Sequence, residues 1–166
     1  MIDRRGAILL ALAVLPAAWV PQAARAQQSF QRFVPFLIDL PGWKGNKPDG
    51  MAMEMAGTSM ITATRAYERG DARFSAQVIT GPAAQGALAA TSAGIKLETS
   101  EMHMGTTTID GVQVTRTYTV SNKAGAIVVP LSASAMFSVT FTGVTEDEAL
   151  TLARKFDWKA IQTLVK

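Results

Sequence analysis

Apolar and polar residues alternate over long stretches between positions 51 and 142, the period-two pattern of strands that bury one face. The most regular run is Met51-Ala52-Met53-Glu54-Met55, with methionines on one side and Ala52 and Glu54 on the other. Residues 59–81 read as a β-hairpin, two β-rich runs flanking Arg69-Gly70-Asp71. That tripeptide matches a cell-adhesion motif, but a turn between strands accounts for it. Residues 106–120 read as a second hairpin around Asp110-Gly111, the favoured two-residue turn. The chain turns again at 121–125, and strands follow over 126–131 and 134–143. Pro130 places its strand at a sheet edge or at a bulge. FVPFLIDLPGWKG, 33–45, predicts an apolar strand stopped at Pro41-Gly42, and IKLETSEMHMG, 95–105, predicts a further strand.

The period changes twice. GPAAQGALAATSAG, 81–94, predicts a helix, with Pro82 in its first turn and Gly94 past its end. Near the C-terminus Ala149, Leu150, Ala153, Phe156, Ala160, Ile161 and Leu164 form a helical stripe. Thr145 caps that helix, Glu148 completes a capping box, and Asp157 re-caps it before Trp158. Short hairpin connections make the sheet largely antiparallel. The predicted fold class is α+β: a mostly antiparallel sheet with a middle and a C-terminal helix, layered as an α-β-α sandwich.

Residues 1–26 read as an export signal: Arg4 and Arg5, an apolar core over 6–20, and the small-x-small site Ala24-Arg25-Ala26. The apolar core is short for a membrane span. The paired arginines and Arg25 point toward twin-arginine export, while the missing phenylalanine and lysine of that motif leave the general route as the alternative. The mature chain, 27–166, is then one exported domain, expected in the periplasm. Three of the sixteen basic residues and one of the thirteen acidic residues leave with the signal, so formal charge falls from +3 to +1. No basic stripe with interleaved aromatics points to nucleic acid. The sequence has no cysteine, so packing must stabilise the domain without disulfides.

The opening FLIDLPGW followed by an antiparallel run, a middle helix, a long meander and a closing helix resembles the PsbP-like sandwich group. That group includes the exported DcrB and LpqN families. The resemblance covers most of the mature chain and lies in the order of elements. It implies the layered fold and a small exported binding or assembly protein without shared catalytic residues.

With one histidine and no cysteine, a thiol nucleophile and a clustered zinc site are excluded. There is no G-x-S-x-G elbow, P-loop or G-x-G-x-x-G. The sequence therefore predicts a protein that binds and does not catalyse. Two patterns carry chemistry. Met51, Met53 and Met55, with Met102, His103 and Met104, offer the soft thioether and imidazole donors that suit Cu(I), if the two segments meet. In a regular strand His103 points away from Met102 and Met104, so a bulge would be needed. The alternative is that the methionines are adaptable core filling. The second pattern is Arg-x-Tyr, as Arg65-Ala66-Tyr67 and Arg116-Thr117-Tyr118, each arginine on the apolar side of its strand. These four residues, with Trp43 as a lid, would form a pocket for an anionic or amphipathic small molecule. The alternative is internal pairing or stacking on the tyrosines. Three expectations follow: a small periplasmic binding protein, a periplasmic Cu(I)-binding protein, or an envelope-assembly module offering a strand edge.

Overall fold

The computed structural model describes residues 29–55, 57–91 and 96–165. The expected export signal and cleavage site, and Gly94, lie outside the described residues. The strands are β1 (Lys44–Gly45), β2 (Asp49–Met55), β3 (Thr58–Arg69), β4 (Ala72–Thr80), β5 (Leu97–Glu98), β6 (Met102–Ile109), β7 (Val112–Thr119), β8 (Ala124–Ser132) and β9 (Ala135–Thr142). The helices are α1 (Pro82–Thr91), α2 (Glu146–Ala153) and α3 (Trp158–Thr163). The strands form one open antiparallel sheet in the order β1-β3-β4-β9-β8-β7-β6-β5, with β2 also pairing the outer side of β3. The fold is α+β, mostly antiparallel sheet.

Alternation sorts the sheet into two faces. One carries Ile61, Ala63 and Tyr67 of β3, Phe74, Ala76 and Val78 of β4, Phe137, Val139 and Phe141 of β9, and Ile127 and Val129 of β8. This face packs against Phe33, Leu37, Leu40 and Trp43 and against Leu152, Phe156, Trp158 and Ile161 of the C-terminal helical region, in one core cluster. Each such aliphatic or aromatic side chain taken from water contributes about 1.5–3 kcal/mol, before the entropy of ordering is set against it. The other face is partly covered by α1, whose Gln85, Leu88 and Ala89 share a cleft with Thr106, Gln113, Thr115 and Pro130. Beneath this cover β9 is buried on both sides, with five consecutive buried residues from Ala135 to Val139.

The local signals explain the turns. Asp110 and Gly111 both have positive φ, 52° and 82°, as a two-residue hairpin turn with right-handed strand twist demands. Thr145 Oγ1 accepts from Glu148 N at 3.3 Å, and Asp157 Oδ1 accepts from Ala160 N at 2.9 Å, so both caps form. The Glu148 carboxylate pairs with Arg69 at 2.5 Å. β8 lies inside the sheet, and the register shifts between Pro130 and Ser132, so the proline sits at a bulge.

Two expected strands differ. Residues 33–45 are not an opening strand. Val34–Phe36 is a 3₁₀ turn with Pro35 in it, and Phe33, Leu37 and Leu40 recur at helical spacing to reach the core. Within this stretch only Lys44–Gly45 pairs, as β1. The expected strand over 95–105 is broken into β5 and β6. Thr99 folds the chain back: its amide donates to Met102 O, and its hydroxyl oxygen accepts from the amides of Glu101 and Met102.

Candidate functional site

The register places both Arg-x-Tyr pairs on the core face in the same two cross-strand rows. One row runs Gly45, Tyr67, Phe74, Phe141, Gly125, Tyr118, His103 and Glu98, from β1 to β5. The next runs Arg65, Ala76, Val139, Ile127, Arg116 and Gly105. Arg65 and Arg116 are therefore four strand steps apart, about 19 Å at the usual spacing. They do not share a pocket, and neither do Tyr67 and Tyr118.

Arg65 is an internal clamp. Its Nε donates to Asn46 O at 2.9 Å and its Nη1 to Leu37 O at 2.7 Å, while Nη2 pairs with Asp39. Gly45 makes room, since a Cβ there would lie 2.8 Å from the Arg65 guanidinium. The guanidinium also stacks 5.3 Å from the Tyr67 ring centre, and Tyr67 Oη donates to Ile38 O at 2.7 Å. Burial pushes the Tyr67 hydroxyl well above its usual titration range, with the Arg65 charge acting in the opposite direction without reversing it. Together the two side chains tie the irregular segment 37–46 to β3. Trp43 is no lid. It is buried against Phe74 at 6.0 Å, with the Arg69 guanidinium 4.4 Å above its ring.

The other end of the two rows is open. There a cleft of about 460 Å³ is lined by Lys96, Glu98, His103, Gly105, Thr107, Arg116 and Glu146 among others. Glu146, the first residue of α2, is the pivot. Its Oε2 lies 3.2 Å from His103 Nδ1 and its Oε1 lies 3.1 Å from Arg116 Nη1. Oε1 is buried without an aligned hydrogen-bond donor among the described residues, so its link to Arg116 is one of charge rather than of a directed bond. A carboxylate in the first helical turn is also favoured by the helix dipole. The Arg116 and His103 side chains remain 38% and 39% exposed, against 12% for Arg65, so their remaining donors face the cleft. Gly105 keeps the floor low: a Cβ there would meet only Lys96 Cγ, at 3.9 Å. Tyr118 backs the site, 6.0 Å from His103 and stacked on Phe141 at 6.1 Å.

The two methionine segments lie on opposite edges of the sheet. β2 and β6 are six strand steps apart, about 29 Å. Met102 and Met104 occupy the face opposite His103. No bulge turns them, and Met51, Met53 and the β2 position of Met55 are not brought to either. Sequence reasoning named His103, Arg116 and Tyr118 but missed Glu146, Lys96, Glu98 and Gly105. The first-turn position of Glu146 did not single it out, because carboxylates there are common for helix stability alone and Asp147 and Glu148 share that turn. The chain matches no family model, no curated protein and no solved structure at a significant level. The cleft must therefore be read from its own chemistry.

Proposed function

We propose that the protein is an exported periplasmic binding protein that holds a small polar ligand, anionic at one end, in the β5–β6–β7 cleft. The observation that carries this reading is the half-exposed Arg116 guanidinium, fixed from one side by Glu146 and opening onto a cleft that Lys96 and His103 also line. A guanidinium so oriented presents its free N–H fork to a carboxylate or phosphate. Glu146 also holds His103 through Nδ1, leaving Nε2 with no partner among the described residues and available to the ligand. Glu98, paired across the strands with His103, stands at the rim with its carboxylate 3.9 Å from Lys96 Nζ, a loose exposed pair that a ligand's own charges can replace. The PsbP-like resemblance points to the same class, a small exported binding protein.

Native mass spectrometry of the exported protein tests the reading, with Arg116→Met as the comparison. The expected result is a co-purified organic mass retained by the natural sequence and lost in the variant. Amide shifts at Gly105 and Thr107 on adding citrate or phosphate would place the anion in the cleft. A bare mass together with unmoved cleft amides at millimolar concentrations of both anions would overturn it.

A further inference from the structure

The structure reveals a different methionine group from the one the sequence predicted. Met53 of β2 lies directly opposite Met60 of β3, and Met51 lies opposite Thr62, so Met51, Met53 and Met60 share one face of the β2–β3 hairpin. Directly opposed Cβ atoms lie about 4.5–5.5 Å apart and diagonal neighbours about 7–8 Å. Alternate residues of one strand are about 6.6 Å apart. Three unbranched side chains from such a triangle reach a common point above the sheet, because each thioether turns about three bonds. The group is on the face opposite the core, at the sheet edge. Met51 is 55% exposed and Met53 43%, and they are among the few large apolar residues so exposed in the described part.

Burial does not explain methionine at 51 and 53, whose side chains are exposed, while Met60 beside them is half-buried. β-Propensity does not either: valine, isoleucine or threonine suits an exposed strand better. What three methionines supply, and those residues do not, is sulfur. We propose that Met51, Met53 and Met60 form an open thioether site for Cu(I). Three neutral soft donors suit a soft monovalent cation, whereas Zn²⁺ takes thiolate, imidazole or carboxylate and Cu(II) takes nitrogen and oxygen. Asp49 lies further along the same face of β2, paired with Thr64, and supplies a nearby negative charge without competing as a soft donor. The openness of the site fits a protein that takes up and hands on the ion. The site is at the opposite edge of the sheet from the cleft and does not rest on the reading of that cleft.

The test uses the exported protein with its methionine methyl groups carbon-13 labelled, titrated anaerobically with Cu(I) in the presence of bicinchoninate. The expected result is one Cu(I) per chain held against the chelator, with methyl shifts at Met51, Met53 and Met60 and none at Met102, Met104 or Met136. Changing Met51, Met53 and Met60 together to leucine conserves volume and should abolish binding, while Met102→Leu with Met104→Leu should leave it intact. Circular dichroism and the urea midpoint establish that the triple variant is folded. If it is not, the methyl shifts of the natural sequence decide the question alone. No copper held against bicinchoninate, or copper held equally by the folded triple variant, would overturn the proposal. Neither result would affect an anion in the cleft.

Discussion

At the residue scale, identical motifs have different roles because different neighbours meet them. Arg65 and Arg116 each precede a tyrosine by two positions and stand in the same row. Arg65 meets carbonyls of the segment 37–46, and Arg116 meets a carboxylate and open space. Replacing Arg65 by methionine strips the donors from Leu37 O and Asn46 O, and should cost about 2–4 kcal/mol in urea unfolding. Lysine should rescue little, since one ammonium cannot span three acceptors set by a planar fork. Arg116→Met should shift the urea midpoint far less. Equal losses at the two sites would show that Arg116 is also a staple. Tyr67 adds a pH dependence. Its hydroxyl titrates above the unfolded value near 10, because burial disfavours the phenolate. Above that pH the unfolded chain releases a proton that the native state keeps, so stability falls as pH rises. Tyr67→Phe should cost about 1 kcal/mol at neutral pH through the lost bond to Ile38 O. It should also flatten the decline above pH 10, measured as the difference in alkaline unfolding between the two proteins.

At the scale of elements, the glycines separate packing from function. Gly125 of β8 sits between Tyr118 and Phe141 in the aromatic row, and those rings stack over it. A Cβ there would fall 2.2 Å from Thr117 O and 2.7 Å from Phe141 Cζ. Gly125→Ala should therefore destabilise by about 3 kcal/mol or more, read as a lower urea midpoint at unchanged slope. Gly105 of β6 has nothing within ordinary contact except Lys96 Cγ. Gly105→Ala should leave stability within about 0.5 kcal/mol and weaken only the ligand retained by the cleft. A matching loss of stability would mean the cleft is not open. Elements bounded by local chemistry were legible in the sequence: the Asp110-Gly111 hairpin, the Thr145 and Asp157 caps and the Pro130 bulge each follow from a few adjacent residues. The segment 33–45 was not, because its apolar run fits a strand and a winding core segment equally. Pairing across the fold decided it, through the Arg65 clamp. The cleft was half legible for the same reason. His103 and Arg116 stand out by type, but Glu146 reaches them only because α2 begins over β6 and β7, a tertiary fact that spacing does not carry.

At the scale of the molecule, an open sheet leaves its two edges unequally protected. β9 is covered on one face by the C-terminal helical region and on the other by α1, and β4 and β8 pair with it along both sides. β5 is two residues long at one edge and β2 lies at the other, with the cleft and the methionine group beside them. Both proposed sites thus sit where few apolar contacts hold the backbone, and local opening there costs less than global unfolding. The domain has no disulfide to stiffen these margins, since the sequence has no cysteine. Native-state hydrogen exchange should show this as a gradient. Amides of residues 135–141 should exchange only through global unfolding, with a denaturant dependence equal to the equilibrium slope. Amides of β2 and β5 should exchange orders of magnitude faster with little denaturant dependence. Cu(I) should then slow exchange in β2 and the facing part of β3 alone, because a ligand protects what it binds by mass action. An anion in the cleft should slow β5 and β6 alone. Protection spreading from either ligand to the opposite edge would mean that β9 transmits a two-state change between them, and the two margins could no longer be treated as independent.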